Sequence, residues 1–149
     1  MKNILILFAF LFSTTAFSQS SDQLQIEQLI QNSFDEIFSN YEVDKLIDFY
    51  TEDFLLLEQG EVWDMAIIRD YLTKAKNNLN PPTRTNRFEF IKTDVEGDRA
   101  WVAYHNYATI SRDGQVLREI YWLESATAIR TTNGWRLDML HSTRVDQEK

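Results

Sequence analysis

Residues 98–145 decide the fold: DRAWVAYHNYATISR (98–112), a turn at Asp113-Gly114, QVLREIYWLESATAIR (115–130), a turn at Asn133-Gly134, and WRLDMLHSTRV (135–145). Asp-Gly and Asn-Gly are the strongest short hairpin signals, because both central positions of the favoured turn take positive φ. The stretch therefore predicts two consecutive antiparallel hairpins. Working backwards, Phe88, Phe90, Lys92 and Asp94 alternate with Glu89, Ile91, Thr93 and Val95 up to Glu96-Gly97-Asp98. That period of two adds a fourth strand to the meander.

The N-terminal half has a different period. Ser20-Ser21-Asp22 opens a helix, with Ser20 and Gln23 spaced as a capping box. Ile26, Leu29, Ile30, Phe34, Ile37, Phe38 and Tyr41 then recur at threes and fours, one stripe of an amphipathic helix. Val43, Leu46, Ile47 and Tyr50 mark a short second helix, and Phe54–Leu57 reads as a short strand buried on both faces. After Gly60, Asp64 can cap a third helix carrying Ile67, Ile68, Tyr71, Leu72 and Ala75; residues 77–86, with Pro81-Pro82, read as a loop. Helices followed by a meander predict the α+β class, a curved antiparallel sheet packed against three N-terminal helices.

Lys2, the unbroken apolar run Ile4–Phe12 and the small-x-small site Ala16-Phe17-Ser18 read as a secretory signal peptide over residues 1–18. The run is too short to cross a bilayer, which takes ~20 residues. Cleavage leaves residues 19–149 as one domain, exported to the periplasm or secreted, with no membrane attachment. The chain has no cysteine, hence neither disulfides nor a lipid-anchored cysteine, and its ten Phe, six Tyr and four Trp must supply the core. A net charge of −8 argues against nucleic-acid binding and against adhesion to anionic lipid.

Taken literally, the turns pair Arg112 with Gln115, and hence Tyr107 with Ile120, His105 with Trp122, Ala103 with Glu124 and Trp101 with Ala126. Across the second turn Ala126 meets His141, Ala128 meets Met139 and Glu124 meets Thr143. Paired residues share a face, so Trp101, His105, Tyr107, Trp122, Glu124, Leu137, Met139 and His141 fall together. Arg136, Asp138, Leu140, Ser142 and Arg144 make a solvent pattern on the other face of the last strand. The first set is then concave, joined by Phe88 and Phe90. A one-residue slip reverses the assignment. Leu117, Tyr104, Tyr121 and Leu123 become a convex apolar patch, which predicts a homodimer.

The concave set reads as the wall of a pocket for a small hydrophobic molecule: Trp63, Phe88, Phe90, Trp101, His105, Tyr107, Trp122, Glu124, Met139 and His141. Glu124 and His105 are the catalytic candidates. A carboxylate beside an imidazole in apolar surroundings can act as a general base. The same carboxylate can equally be a structural acid held by Tyr, Trp or His hydrogen bonds. No metal site is expected, because this register separates His105 from His141 by ~16 Å, far beyond one ion's reach. No cofactor is expected either. No nucleophile elbow surrounds Ser125 or Ser142, and with four Gly there is no phosphate loop.

Three segments carry a resemblance: VDKLIDFYTEDF (43–54), Gly60-Glu61-Val62-Trp63, and Gly134-Trp135-Arg136-Leu137 followed by His141-Ser142. They resemble the nuclear transport factor 2-like superfamily, and within it the SnoaL-like branch of small bacterial domains with no assigned function. The resemblance covers residues 24–145. It implies a cone-shaped curved sheet closed by helices, a pocket between the two, and a dimer through the outer sheet face. Ketosteroid isomerases, scytalone dehydratases, epoxide hydrolases and polyketide cyclases belong to that superfamily, and no residue set here matches their catalytic patterns. Three functions stay open: a small-molecule-binding module, a metal-free lyase, isomerase or hydrolase using a Glu/His pair, and a dimeric interaction scaffold.

Overall fold

The computed structural model describes residues 15–146. The apolar run Ile4–Phe12 of the expected signal peptide lies outside them. The first helix, α1, spans Thr15–Ser33, starting upstream of the position expected for its cap, and continues as a π-helical turn over Phe34–Ser39. Its stripe behaves as the spacing predicts: Ile26, Ile30, Phe34 and Ile37 are buried. Tyr41, at φ 56°, ends the segment in the left-handed region and turns the chain into a 3-10 turn, Val43–Lys45, and the short α2, Leu46–Phe49. The third helix, α3, spans Met65–Lys76. Asp64 caps it, its carboxylate accepting from the Ala66 and Ile67 amides at 3.0 and 2.9 Å. No helix among the described residues is long and apolar enough to cross a membrane.

Six strands form one open sheet in the order β2-β1-β6-β5-β4-β3: β1 Tyr50–Glu58, β2 Glu61–Trp63, β3 Thr83–Glu96, β4 Arg99–Arg112, β5 Gln115–Thr131 and β6 Gly134–Val145. The expected meander is β3 to β6. Two features depart from expectation. The strand around Phe54 is longer than its apolar run and lies parallel to β6, so the sheet is mixed. It is also buried on one face only, with Phe54 and Leu56 inside and Leu55 partly exposed. The helices cover the concave side, where Ile26, Ile30, Ile68 and Leu72 pack with Val102, Tyr104, Ala126, Leu137 and Leu140.

Register is where sequence and structure part. Asp113 and Gly114 (φ 52° and 77°) form the expected turn, and Arg112 pairs with Gln115. One step on, Ser111 meets Val116 while Ile110 meets Arg118, which leaves Leu117 as an extra residue in β5. From there β5 is displaced by one: Asn106 faces Trp122 and Tyr104 faces Glu124. The second turn also slips. Thr131 pairs with Gly134, so Thr132 and Asn133 occupy the turn and Gly134 follows at φ 97°. Asp138 is a further extra residue, its carboxylate accepting from the Thr127 hydroxyl at 2.6 Å, and Ile91 is another in β3. Each bulge reverses the faces beyond it.

The concave side therefore holds Val102, Tyr104, Asn106, Ala108 and Ile110 from β4, with Trp122 and Glu124 from β5 and Leu137, Leu140 and Ser142 from β6. Trp101, His105, Tyr107, Met139 and His141, expected there, lie on the convex side. Tyr104, expected on the convex patch, is completely buried.

Candidate functional site

A cavity of about 270 Å³ opens between the concave sheet and the helices. Seven aromatic side chains line it: Phe34, Phe38 and Tyr41 from the end of α1 and the turn after it, Phe54 from β1, Trp63 from β2, Tyr71 from α3 and Trp122 from β5. Leu56, Ile110, Ile120 and Leu140 complete the apolar part. The Trp63 and Tyr71 rings lie 5.4 Å apart, and Trp63 Nε1 donates to Glu61 at 2.8 Å. An apolar wall with a few convergent polar groups is the usual make-up of a small-molecule site.

A connected chain of hydrogen bonds joins Arg84 and Glu124 of the lining through residues behind the wall. Arg84 Nε donates to Asn86 Oδ1 at 3.0 Å, Asn86 Nδ2 to Asn106 Oδ1 at 2.6 Å, and Asn106 Nδ2 to Glu124 Oε2 at 3.1 Å. Ser142 Oγ donates to Glu124 Oε1 at 3.0 Å. Asn106, Glu124 and Ser142 are all buried. Burial raises the Glu124 carboxyl to about 7, against the lowering effects of Asn106, Ser142, the neighbouring Tyr104 and the Arg84 charge. Burial, and then the Glu124 carboxylate opposite, push the Tyr104 phenol well above its ordinary value. The Tyr104 and Tyr50 hydroxyls and Trp122 Nε1 are buried without a hydrogen-bond partner of normal geometry among the described residues.

Arg84 is the cavity's other charged anchor. Its guanidinium carbon lies 5.1 Å from the Trp122 ring centre, 5.5 Å from Phe34 and 5.8 Å from Phe38, within cation–π range. Burial lowers its pKa; Glu124, Tyr71, Tyr41 and Glu58 pull the other way. An arginine so placed still keeps its charge.

Of the residues expected to form a pocket, Trp63, Trp122 and Glu124 line the cavity. Phe88 and Phe90 share the concave side but pack behind its wall, each 5.8 Å from Tyr104, with Phe88 5.3 Å from Phe34. The other five sit across the sheet. Trp101 is 42 % exposed beneath Lys92. His105 Nδ1 lies 2.8 Å from the Tyr121 hydroxyl, and Tyr107 stacks on Tyr121 at 4.8 Å. Met139 is half-buried beside Thr127, and His141 is exposed. The expected Glu/His pair is thus not formed, since the extra residue Leu117 in β5 puts His105, and the extra residue Asp138 in β6 puts His141, on the face opposite Glu124.

Arg84, Asn106 and Ser142 were not among the expected site residues. Arg84 fell in the stretch read as a loop, yet β3 begins at Thr83. Extending the alternation back from Phe90 and Phe88 through Asn86 to Arg84 would have placed it on their face.

No protein-family model and no curated protein sequence matches the chain. Solved structures do. A nuclear transport factor 2-like superfamily protein from Salmonella enterica serovar Typhimurium superposes with a TM-score of 0.69 at 16 % identity, covering 87 % of this chain and 95 % of its own. The CamKII hub homology domain of Chlamydamonas reinhardtii gives 0.71 at 14 % identity, covering 83 % and 98 %. A ketosteroid isomerase-like protein from Erwinia carotovora atroseptica gives 0.63 at 15 % identity, covering 85 % and 98 %.

Proposed function

We propose that this chain, which has the nuclear transport factor 2-like fold, is an exported domain that binds a small, largely hydrophobic molecule in the cavity above Glu124. The observation that carries the reading is the cavity itself, about 270 Å³ of aromatic wall closing on one fully hydrogen-bonded acid. A structural acid alone would not call for open space beside it, because interiors pack to crystal-like density. Native mass spectrometry of protein purified from its source tests the reading: a bound small molecule that Trp122→Ala releases is the expected result. A ligand retained by that variant would place the site elsewhere.

A second reading is favoured by one feature, the Glu124 carboxyl raised to about 7. A group poised there can both take and give a proton near neutrality, so a metal-free isomerase, lyase or hydrolase would use Glu124 without a histidine partner. Glu124→Gln separates the readings. Loss of turnover with ligand affinity kept supports catalysis; a change in affinity alone supports binding.

Three further proposals accompany these. The 43–54, 60–63 and 134–142 segments support an assignment to the SnoaL-like branch. The convex patch of Leu117, Tyr121 and Leu123 pairs two copies into a homodimer, a role supported by the partial exposure of Leu117 and Leu123. Light scattering that returns a single chain's mass at micromolar concentration overturns the dimer. Export requires the mature N-terminus to lie near Gln19, which sequencing the protein isolated from cells checks directly.

A further inference from the structure

We infer that the ligand is an amphipathic carboxylate whose acid group seats on the free end of Arg84 while its hydrocarbon body fills the aromatic cavity. The inference rests on the cavity being a binding site and adds the chemical class of what enters it.

A guanidinium carries five N–H groups in a planar fork. Among the described residues only Nε is used: it donates to Asn86, which the Asn86–Asn106–Glu124 chain holds in turn. Among the described residues no carboxylate lies within ion-pair distance of Arg84, although seven other ion pairs form in this chain. The two terminal nitrogens are thus left without an acceptor on a side chain that lines the cavity. Their edge is the one that takes a carboxylate through two parallel hydrogen bonds. The rings of Trp122, Phe34 and Phe38 hold the guanidinium plane and offer flat apolar surface next to it.

Cation–π contact alone does not account for this arrangement. Such contacts leave the guanidinium's hydrogen-bonding edge unused, and drawing even a partly buried cation out of water without an ionic partner is unfavourable. An anion entering the cavity supplies the missing partner. The other charges lining the space are Arg118, exposed at its rim, and Glu58 and Glu124. With Glu124 protonated, the lining carries one net positive charge. The chain's net charge of −8 opposes anions only weakly at this depth, since exposed charges are screened over ~8 Å at physiological salt. One fork on a partly buried arginine matches one negative charge, so a monoanionic carboxylate fits better than a phosphate dianion.

Calorimetric titration of the intact protein with three isosteric probes, phenylbutyrate, phenylbutyramide and phenylbutylamine, tests the inference. The carboxylate is expected to bind at least tenfold tighter than the amide, with the amine weakest. In Arg84→Gln, checked for folding by circular dichroism, the carboxylate should fall to the affinity of the amide while the amide is unchanged. Arg84→Lys keeps the charge without the fork and should retain part of the preference; with the wild-type ratio it carries the test if the glutamine variant fails to fold. An amide that binds as well as the carboxylate overturns the anion assignment and leaves the cavity as a binding site. Failure of all three probes to bind at millimolar concentration, with no ligand co-purifying, overturns both.

Discussion

On the concave face Tyr104 and Glu124 stand opposite each other at 0 % and 4 % exposure. One residue along, on the convex face, His105 and Tyr121 share a 2.8 Å contact within reach of water. Both pairs put an aromatic ring beside a titratable group on the same two strands. Burial raises the concave acid to about 7 and the concave phenol well above its usual range. On the concave face desolvation penalises the charged form, because sheet and helices together exclude water there. A convincing cluster such as His105, Tyr107 and Tyr121 can assemble on the face away from the cavity.

The largest test of the contrast is truncation at its centre. Tyr104→Ala is expected to cost roughly 3–5 kcal/mol in chemical denaturation, as for other large buried aromatics. His105→Ala, one residue away, is expected to cost less than about 1 kcal/mol. Equal losses would mean the two faces are not distinguished as described.

Next comes pH. Glu124 titrates near 4.5 when unfolded and near 7 in the fold. Between those values the unfolded chain has released its proton while the native state still holds it, so rising pH favours unfolding. Its contribution is most favourable below the unfolded value, is lost across that window and is level above it. The ceiling is roughly 3 kcal/mol. Glu124→Gln should abolish the slope and gain stability relative to wild type at about pH 8. A wild-type stability curve that the substitution leaves unaltered across the window would show that the carboxyl is hydrated.

The tryptophans give a third comparison. Trp122, half-buried against Arg84, should cost roughly 2 kcal/mol on replacement by alanine, below the range for a fully buried ring. Trp101, partly exposed across the sheet, should cost about 1 kcal/mol or less. The reverse order in thermal melts would restore the face assignment that the turns alone suggested. The smallest effect belongs to Tyr121→Phe, which removes the hydroxyl beside His105. It should cost about 0.5–1 kcal/mol and leave ligand binding unchanged; altered affinity would tie the convex cluster to the cavity.

Much of this was legible in the chain. Ile26, Ile30, Phe34 and Ile37 announced the buried stripe of α1, Asp64 the start of α3, and Asp113-Gly114 the hairpin between β4 and β5. These signals are local: a helical period, a cap and a two-residue turn each lie within a few residues. Trp122 and Glu124 were also placed on the inward face, although with the wrong neighbours. Glu124 was expected between Ala103 and Thr143 and lies between Tyr104 and Ser142.

What the sequence determined by itself was the set of elements and their order, because periodicity and turn chemistry act through backbone geometry over short range. Which face of each strand meets the helices was decided only by the tertiary structure. β4 carries aromatic residues at both parities, Tyr104 on one side and Trp101, His105 and Tyr107 on the other, so its alternation fits either orientation. The deciding features are the extra residues Leu117 and Asp138, each a shift of one; the second turn moved by two, which leaves the faces as they were. A bulge is chosen by how a twisted sheet curves over its helices, which is a property of the assembled layers. A displacement of one residue therefore moved five expected wall residues across the sheet and brought Asn106 and Ser142 to Glu124, while the longer β3 brought in Arg84.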